Sequence, residues 1–529
     1  MQGFSMKKNQ YAVLSVIAVL IMGGAIIWWI WRGRKAAGEV SRGQVIYDEY
    51  CAVCHGVKGD GRGEAAYLLL PKPRNFRAGK FRLVSSQNLE PTREDLFRTI
   101  TRGMPDTPMP SWGDLSESDR WDVVDYILKL NREGWVEIAM RSGDTRKAAE
   151  KYAAEMVQPG DPIPIPPEPP VTREGLEQGR KYYKTACAQC HGANGEGKRD
   201  PTWRTAEGFS TWSRNFKRGV FKGGREGKQL YLRFSAGVPG TPMPSSKLPG
   251  EQVWQVVHYV QSLSDPAAQE RAQIRAQEIE VRRLQRLPSD PDDGVWATVA
   301  EVRVPLMPLW WHDGHVDAVR VKAVHDGHRL AFLFEWNDST QNVEGIRQRS
   351  FPDGAAVQLT ANASPPLFAM GAPGKAVNIW HWKALWDEDR KNFQDVGTIF
   401  PRMAADGYYG SQKGWQSEPM QDTTFRPADA AHNLIASPHR TSVVENGNAV
   451  GLGTFASRAA EKQNVQGVSR WKDGVWRLEL LRNIQASGAE DIPLRPGQRV
   501  SVAFAIWDGS AGDRNGQKSV SIWNTLTLK

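Results

Sequence analysis

Three patterns of hydrophobic and polar positions follow one another along this 529-residue chain. An uncharged run from Tyr11 to Trp31 comes first, followed by two segments with apolar residues at helical spacing. From about Asp290 the chain changes to short runs in which apolar and polar residues alternate. Helical spacing predicts α-helices and alternation predicts β-strands. We therefore expect one long apolar helix, two helical domains and a β-rich C-terminal domain.

The uncharged run is long enough to cross a bilayer. Its 21 residues would make a helix of about 31 Å, which matches the hydrocarbon core. Arg32, Arg34 and Lys35 end the run. A cleaved signal peptide with Lys7 and Lys8 as its basic N-terminal region is the alternative, but the run is longer than a usual signal core. The sequence predicts an uncleaved transmembrane anchor over residues 1–35.

Two copies of one domain follow in tandem, over residues 36–157 and 173–266. Eight residues of the first copy recur 136 residues later: Gly43, Tyr47, Cys51, Cys54, His55, Gly56, Gly59 and Gly61 match Gly179, Tyr183, Cys187, Cys190, His191, Gly192, Gly195 and Gly197. Two further motifs recur, Arg74-Asn75-Phe76 as Arg214-Asn215-Phe216 and Thr107-Pro108-Met109-Pro110-Ser111 as Thr241-Pro242-Met243-Pro244-Ser245. The linker, residues 158–172, holds seven prolines, which predict an extended spacer.

Each copy carries a Cys-x-x-Cys-His motif, and the two motifs contain all 4 cysteines of the chain. Two thiols at this spacing can add to the vinyl groups of a haem, and the adjacent histidine can then bind the iron. A zinc ribbon would close one site with both Cys pairs, whereas here each pair has its own histidine and its own domain copy. The motifs predict covalent haem c at Cys51, Cys54, Cys187 and Cys190, with His55 and His191 as iron ligands.

The repeat also selects a second iron ligand. Met104 and Met109 are both candidates in the first copy, but Met104 aligns with Val238 and Met109 aligns with Met243. A methionine that only fills a gap in the core is the alternative at either position. The shared Pro-rich context favours Met109 and Met243 as ligands, and a thioether opposite histidine suits electron transfer.

These motifs together resemble the class I cytochrome c domain, over residues 40–135 and 175–265. The resemblance implies two all-α cytochrome c domains. Covalent c haem is attached outside the cytoplasm. We therefore expect a single-pass protein of the cytoplasmic (inner) membrane, with the bulk of the chain facing the periplasm or the outside.

The C-terminal domain, residues 290–529, is predicted to be an antiparallel β-sandwich. Alternating residues on both sides of His325-Asp326-Gly327-His328 predict a β-hairpin with an Asp-Gly turn. Further strands are expected at residues 377–383, 476–481, 500–507 and 519–528. The preceding residues, 267–289, are rich in Ala, Glu, Gln and Arg and predict a helical linker.

Several segments of this domain resemble the haem b-binding gamma subunit of ethylbenzene dehydrogenase and related molybdenum enzymes of the dimethyl sulfoxide reductase family. They are residues 353–359, 368–371 with 377–382, and 504–509 with 514–519. The resemblance implies one non-covalent haem b, held at the positions of Met370 and Lys518. Lysine binds iron only as the neutral amine, so its pKa must be lowered. His381 is an alternative ligand, because imidazole is a commoner ligand of iron than lysine.

Charge and motifs exclude other classes of function. Lys and Arg exceed Asp and Glu by 43 to 33 over residues 1–290, but number 25 against 26 over residues 291–529. Half of the excess flanks the apolar run, and no basic cluster with interleaved aromatic residues predicts nucleic-acid binding. Four histidines form two similar clusters, which Asp-Gly turns explain more simply than a metal site: His312, His315, His325 and His328. No nucleophile–base pair or nucleotide loop predicts an enzyme.

We therefore expect a membrane-anchored electron-transfer subunit with two c haems and one b haem. Its expected partners are molybdenum and iron–sulfur subunits of a periplasmic oxidoreductase, such as a nitrite- or nitrate-type enzyme. A soluble cytochrome or a quinone-linked carrier in the membrane is expected as the second redox partner of this subunit. The alternatives are a dihaem subunit of a terminal oxidase, or cytochrome domains fused to a sandwich that binds carbohydrate or another ligand.

Overall fold

The computed structural model describes residues 40–529 except 78–79, 363, 367–369, 394–398, 403–441, 487 and 489–490. The predicted anchor, residues 1–35, lies outside the described residues. Within them, no helix has both the length and the apolar character needed to cross a membrane. The longest described helix, Glu117–Arg141, carries charged residues along its whole length. The predicted fold class, which included a transmembrane helix, is corrected on this point: the described residues contain no such helix.

Both cytochrome-like copies are helical. The first contains α1 (Arg42–Tyr50), α2 (Ala52–His55), α3 (Arg93–Arg102), α4 (Glu117–Arg141) and α5 (Arg146–Met156). The second contains α6 (Arg173–Ala186), α7 (Ala188–His191), α8 (Gly227–Ala236) and α9 (Gly250–Ser262). Side-chain caps fix several helix starts: Thr92 and Asp95 form a capping box at α3, and Ser41 caps α1.

The repeated glycine of each copy lies where two helices cross, α1 and α4 in the first copy and α6 and α9 in the second. A Cβ on Gly43 of α1 would lie 2.0 Å from the carbonyl oxygen of Asp122 in α4. A Cβ on Gly179 of α6 would lie equally close, 2.0 Å from the carbonyl oxygen of Gln255 in α9. Only glycine permits this contact, so the repeated Gly-x-x-x-Tyr pattern is a packing requirement. The tyrosine that follows is fully buried in each core.

The Pro-rich linker is more than a spacer, because it packs on both copies. The backbone N–H of Ile163 donates to the carbonyl oxygen of Ser85 at 2.9 Å. On the second copy, Trp254 Nε1 donates to the carbonyl oxygen of Pro166 at 3.1 Å. These contacts fix the linker against helical domains on both sides.

The C-terminal domain has fourteen described strands. They are β1 (Glu278–Arg283), β2 (Val302–Pro305), β3 (Met307–Pro308), β4 (Ala318–His325), β5 (Arg329–Asn337), β6 (Gly354–Thr360), β7 (Val377–Lys383), β8 (Val444–Ala449), β9 (Ala456–Ser457), β10 (Val465–Lys472), β11 (Val475–Asn483), β12 (Arg499–Trp507), β13 (Ser519–Val520) and β14 (Asn524–Leu528). Two short helices accompany them, α10 (Ala268–Arg271) before β1 and α11 (Ala384–Asp389) after β7. The predicted hairpin is confirmed as β4 and β5, with His325 paired to Leu330.

The prediction of a purely antiparallel sandwich is wrong, because the sheet is mixed. Strand β1 pairs in parallel with β14 and then with β4. The predicted helical linker, residues 267–289, is helical only at α10 and continues as β1. Alternation of apolar residues is the same in parallel and antiparallel strands, so the sequence pattern cannot give strand direction.

Strand β1 joins two halves of the sheet, which enclose one core. One half contains β10, β11, β5 and β4, and the other contains β14, β12, β6, β7 and β8. Aromatic side chains meet between the halves: Phe332 contacts Trp380 with ring centroids 6.0 Å apart, and Phe334 contacts Phe504 at 5.3 Å. The core is therefore that of a two-layered sandwich despite its mixed strand directions.

Candidate haem sites

Each Cys-x-x-Cys-His motif folds as one helical turn. In the first copy the backbone N–H of His55 donates to the carbonyl oxygen of Cys51 at 2.9 Å, and that of Cys54 donates to the same oxygen at 3.2 Å. This turn places both thiols and the imidazole on one short segment, and all four thiols are free of disulfides. Burial raises the pKa of Cys51 and of Cys54 to about 12, and that of Cys187 to about 11.

The Arg-Asn-Phe motif orients the histidine. His55 Nδ1 donates to the carbonyl oxygen of Arg74 at 2.9 Å, and the ring of Phe76 stacks on the imidazole with centroids 4.5 Å apart. Because Nδ1 carries the proton, Nε2 presents a lone pair to a metal. Burial lowers the pKa of His55 to about 4, which keeps the ring neutral. His191, Arg214 and Phe216 repeat these contacts at 3.1 and 4.4 Å.

The sequence shows that this motif recurs, but not what it does. The role of Arg74 belongs to its backbone carbonyl, which any residue type would possess, so residue identity gives no signal for it. The stacked phenylalanine is a stronger signal, because an aromatic residue recurs at the third position of both Arg-Asn-Phe motifs.

A threonine holds the methionine loop. Thr107 Oγ1 donates to the carbonyl oxygen of Met104 at 2.6 Å and accepts from the backbone N–H of Met109 at 3.3 Å. The N–H of Met104 donates in turn to the carbonyl oxygen of Met109 at 3.0 Å. Thr241 makes the same two bonds around Val238 and Met243. The repeated threonine therefore fixes the loop conformation together with the flanking prolines.

One continuous cavity of about 850 Å³ is lined by both copies. Every predicted haem c residue lines it: Cys51, Cys54, His55, Met109, Cys187, Cys190, His191 and Met243. The donor set fits a covalent haem c in each copy, because paired thiols, a neutral imidazole and a thioether face the same space. Met104 also lines the cavity, so the geometry does not by itself choose between the two methionines.

Two partly buried basic side chains, Arg82 and Lys222, line the cavity at equivalent positions of the copies. Burial lowers the pKa of Arg82 to about 10 and lowers that of Lys222 well below its ordinary value. The Nε atom of Arg82 is buried and has no hydrogen-bond acceptor within the described residues. Such side chains suit an anionic group of a bound cofactor, and haem carries two carboxylates.

Ion pairs cross between the copies beside these sites. Arg74 pairs with Glu207 of the second copy, and Arg214 pairs with Asp106 of the first copy at 2.5 Å. The backbone carbonyl oxygen of each arginine also accepts the hydrogen bond from the motif histidine of its own copy. The cytochrome-like copies are therefore connected reciprocally.

Asp106 is also the point where all three domains meet. Its side chain is 2% exposed and lies 3.1 Å from Arg218 and 3.0 Å from His315, while Trp311 Nε1 donates to it at 3.0 Å. Burial opposes ionisation, but His315, Arg214 and Arg218 together hold the pKa of Asp106 well below its usual range. His315 thus belongs to a domain junction. His325 and His328 flank the predicted hairpin turn instead.

Lys518, a predicted haem b ligand, and His381, its alternative, both lie on Trp507. Lys518 Nζ lies 4.5 Å from the centre of the Trp507 ring, and His381 stacks on the same ring at 4.7 Å. Met370 packs against the apolar cluster to which Trp507 also packs. Burial lowers the pKa of Lys518 to about 8, and no acidic partner for it is present in the described part of the chain. A neutral amine is therefore accessible, as iron ligation by lysine requires.

The surroundings of His381 disfavour the charged form of its imidazole. Burial, followed by the charges of Lys383 and Lys518, lowers the pKa of His381 well below its ordinary value. Its Nδ1 atom lies 4.0 Å from Glu445. The neutral imidazole that results keeps His381 as an alternative ligand at this site.

Comparison with known proteins separates the chain into the same three parts. Residues 293–519 match the family model described as ethylbenzene dehydrogenase. Residues 176–264 match the cytochrome c model, and residues 38–127 match that of cytochrome c oxidase, cbb3-type, subunit III. The predicted family resemblance of both parts of the chain is confirmed.

Two relatives and one solved structure illustrate this similarity. A provisionally named respiratory nitrate reductase haem subunit of Haloferax mediterranei is 26% identical, over 45% of this chain and 67% of the relative. The dimethylsulfide dehydrogenase subunit gamma of Rhodovulum sulfidophilum is 25% identical, over 45% of this chain and 74% of the relative. A chain of the reducing HAO-like protein complex of Kuenenia stuttgartiensis is 35% identical over 43% of this chain and 98% of that chain, with a TM-score of 0.37.

Proposed function

We propose that this chain, in which two cytochrome c domains precede a domain of the ethylbenzene dehydrogenase family, is an electron-transfer subunit of an oxidoreductase complex. The observation that carries this proposal is the single cavity lined by both Cys-x-x-Cys-His motifs. Two cofactors in one cavity need no protein layer between them, and a short gap favours electron exchange. The chain would therefore connect redox partners without converting a substrate itself.

The proposed ligands follow from the site geometry. Cys51 and Cys54 would hold one c haem and Cys187 and Cys190 the other, with His55 and His191 as proximal ligands. Met109 and Met243 would complete the coordination. Haem iron between an imidazole and a thioether takes up and releases single electrons and offers no open position to a substrate. Around it, the carbonyl groups of Arg74 and Arg214 hold each imidazole in one orientation.

We propose a third, non-covalent haem b in the C-terminal domain, held by Met370 and Lys518. The support is the burial of Lys518, its lowered pKa and its position on Trp507. His381 lies on the same ring and is the alternative ligand.

The backbone connects this third site to the first cytochrome domain. The carbonyl oxygen of Lys518 accepts from the N–H of Leu309 at 2.8 Å, and Leu309 accepts from the N–H of Leu70 at 2.8 Å. Leu70 accepts in turn from the N–H of Trp311 at 2.9 Å. Cys54 packs against the apolar cluster at this contact, which includes Leu309 and Val520. We therefore infer the order C-terminal site, first cytochrome domain, second cytochrome domain for electron exchange.

The partner is proposed from the relatives and from the family resemblance. The relatives are named as subunits of a nitrate reductase and of a dimethylsulfide dehydrogenase. We propose a molybdenum and iron–sulfur oxidoreductase at the C-terminal domain, and a soluble cytochrome or a quinone-linked carrier at the second cytochrome domain. Because c haem is attached outside the cytoplasm, both cytochrome domains are proposed to work there.

One comparison favours a second candidate, a dihaem subunit of a terminal oxidase. Residues 38–127 match a model for subunit III of cbb3-type cytochrome c oxidase. This candidate gives no role to residues 293–519, which match a different family. The number of non-covalent haems distinguishes the two candidates.

The test is a count of haem by type on the purified, fully loaded chain. Acidified acetone extracts non-covalent haem, and pyridine haemochrome spectra of extract and residue give the count of each type. Two covalent haems and one extracted haem b are expected. Lys518→Ala should lose only the extracted haem, whereas Lys472→Ala, an exposed lysine of the same domain, should lose none. Two covalent haems with none extracted from wild type would overturn the third site and favour the oxidase candidate or a ligand-binding module.

A further inference from the structure

Three aspartates lie together at one end of the sandwich. Asp338 follows β5, Asp353 precedes β6 and Asp508 follows β12. Strands β6 and β12 are neighbours, with Gly354 paired to Trp507. Each aspartate places one carboxylate oxygen within 4.8 Å of those of the other two. Segments from both halves of the sheet therefore converge on three acidic groups.

Hydrogen bonds hold Asp353 in a form that favours the negative charge. The backbone N–H of Gly509 donates to Oδ1 at 2.8 Å. The N–H of Asn342 donates to Oδ2 at 2.8 Å, and Trp476 Nε1 donates to the same oxygen at 3.0 Å. These three donors favour the carboxylate over the protonated acid, and they oppose the effects of burial and of the neighbouring Asp338 charge. Asp353 is fully buried, so this charge lies in a region of low dielectric constant.

Asp338 supplies a second, independent sign of a ligand. Its residue is 5% exposed, and Oδ1 accepts from the backbone N–H of Thr340 at 3.1 Å. Its Oδ2 atom is buried and receives no hydrogen bond within the described residues. A buried carboxylate oxygen without a donor is unfavourable unless another group binds it.

The charges of the cluster are not balanced by side chains. No ion pair joins Asp338, Asp353 or Asp508 to a basic residue in the part of the chain that the structure describes. Burial, followed by the charge of Asp338, raises the pKa of Asp353 to about 7. Burial also raises the pKa of Asp338 to about 6, with a smaller contribution from Asp508. Like charges at this separation repel strongly when they are shielded from water.

We propose that Asp338, Asp353 and Asp508 bind a hard divalent cation, for which Ca²⁺ is the best match. Oxygen ligands alone favour Ca²⁺ or Mg²⁺ over transition metals. Ca²⁺ accepts irregular geometry and completes its shell with carbonyl oxygens and water, whereas Mg²⁺ requires a near-ideal octahedron. Three carboxylates from three different segments suit the more tolerant ion.

The cation would fasten the loop that leads to Lys518. Asp508 begins the connection from β12 to β13, and this connection ends at Lys518 immediately before Ser519. Trp507, on which Lys518 and His381 lie, is the residue next to Asp508. The cation therefore stabilises one wall of the C-terminal site, although its binding does not depend on any haem there.

The test measures Ca²⁺ on the full, haem-loaded chain. Wild type is gel-filtered after exposure to Ca²⁺ or to EGTA, and bound calcium is counted per chain by atomic emission. Differential scanning calorimetry then gives the midpoint of thermal unfolding with and without EGTA. One Ca²⁺ per chain is expected, and EGTA should lower the midpoint by several degrees, because an ion that binds only the folded state stabilises it.

Asp338→Asn is the matched variant, and Asp317→Asn is its control. The variant keeps the size of the side chain but removes one charge, so Ca²⁺ affinity should fall at least tenfold. Without Ca²⁺ it should unfold no lower than wild type, because a repulsive charge is gone. Asp317→Asn, at a side chain that is 71% exposed, should change neither the Ca²⁺ affinity nor the unfolding midpoint. The proposal would be overturned if wild type retained no Ca²⁺ and its unfolding midpoint did not change with EGTA, a result that does not require the variant to fold. It would also be overturned if Asp338→Asn bound Ca²⁺ with the same affinity as wild type.

Discussion

Arg214 links the proximal side of one haem site to the methionine loop of the other, through its ion pair with Asp106. Its guanidinium lies 2.5 Å from the Asp106 carboxylate, and its carbonyl oxygen accepts from His191. Asp106 lies three residues before Met109, on a backbone with φ of 65°. The two residues are 108 positions apart in the chain. A substitution at Asp106 should therefore affect both cytochrome domains.

Asp106→Asn should weaken the junction and alter the redox sites. Asparagine tolerates the left-handed backbone, so the variant removes charge with little change in shape. Leaving Arg214 without its buried partner should lower the free energy of unfolding by roughly 3 kcal/mol. Loss of a negative charge beside the cavity favours the reduced form, so at least one c-type midpoint potential should rise. Optical redox titration and denaturant unfolding measure these effects.

A double-mutant cycle with Arg214→Gln isolates the pair. The two changes should be non-additive by roughly 1–3 kcal/mol, because they remove the same contact. Asp144→Asn, at an exposed position, is the control. Additive effects within error would show that Asp106 and Arg214 act separately.

Met109→Ala and Met104→Ala should differ in their effect on potential. Thioether ligation raises the haem potential, so the loss of Met109 should lower the midpoint of one c haem. Met104→Ala should leave both midpoints near those of wild type, because its repeat partner is Val238. A redox titration followed in the visible bands measures this. The assignment fails if the Met104 variant lowers the potential and the Met109 variant does not.

Gly43→Ala should disrupt the first cytochrome domain. The added methyl group would meet the carbonyl oxygen of Asp122 at 2.0 Å, so α1 and α4 must separate. We expect a loss of roughly 1–3 kcal/mol in the free energy of unfolding and less covalent haem in that domain. Gly294→Ala, where a Cβ meets no atom within 4 Å, should have little effect. Unchanged haem content and stability in Gly43→Ala would contradict the close crossing of these helices.

Glu479 should make the stability of the sandwich depend on pH. Burial raises its pKa to about 7, with smaller contributions from Asp290 and Asp293, although Trp296 donates to it. The folded state then binds the proton more tightly than the unfolded state. Its contribution is fully present below the unfolded pKa near 4.5 and is lost as pH rises through about 7. The change is up to roughly 3 kcal/mol.

Urea unfolding at pH 5 and pH 8 measures this dependence. Glu479→Gln keeps an acceptor for Trp296 without a titrating proton, so its stability should change less between the two values. Glu461→Gln, at an exposed position, should behave as wild type does. Equal pH dependence in wild type and Glu479→Gln would rule out this group as the cause.

Features that depend on neighbouring residues could be predicted from the amino-acid pattern alone. The spacing within each Cys-x-x-Cys-His motif fits one helical turn, so the haem c residues could be predicted without a structure. Comparison of the repeats predicts Met109 as a ligand, which stays a prediction, and the Asp-Gly turn predicted the hairpin of β4 and β5, which is confirmed. Each of these signals lies within a few residues or recurs in register, and local backbone geometry is enough to interpret it.

Contacts between residues that are distant in the chain could not be predicted, because they arise when separate segments pack together. Strand β1 is parallel to both neighbours, and its alternating pattern carries no information on direction. The pairing of Arg214 with Asp106 joins two domains, and the aspartates at 338, 353 and 508 come from three separate segments. Charged residues in a sequence are usually solvated. Their meaning here comes from burial, which the packing of three domains and two sheet halves creates.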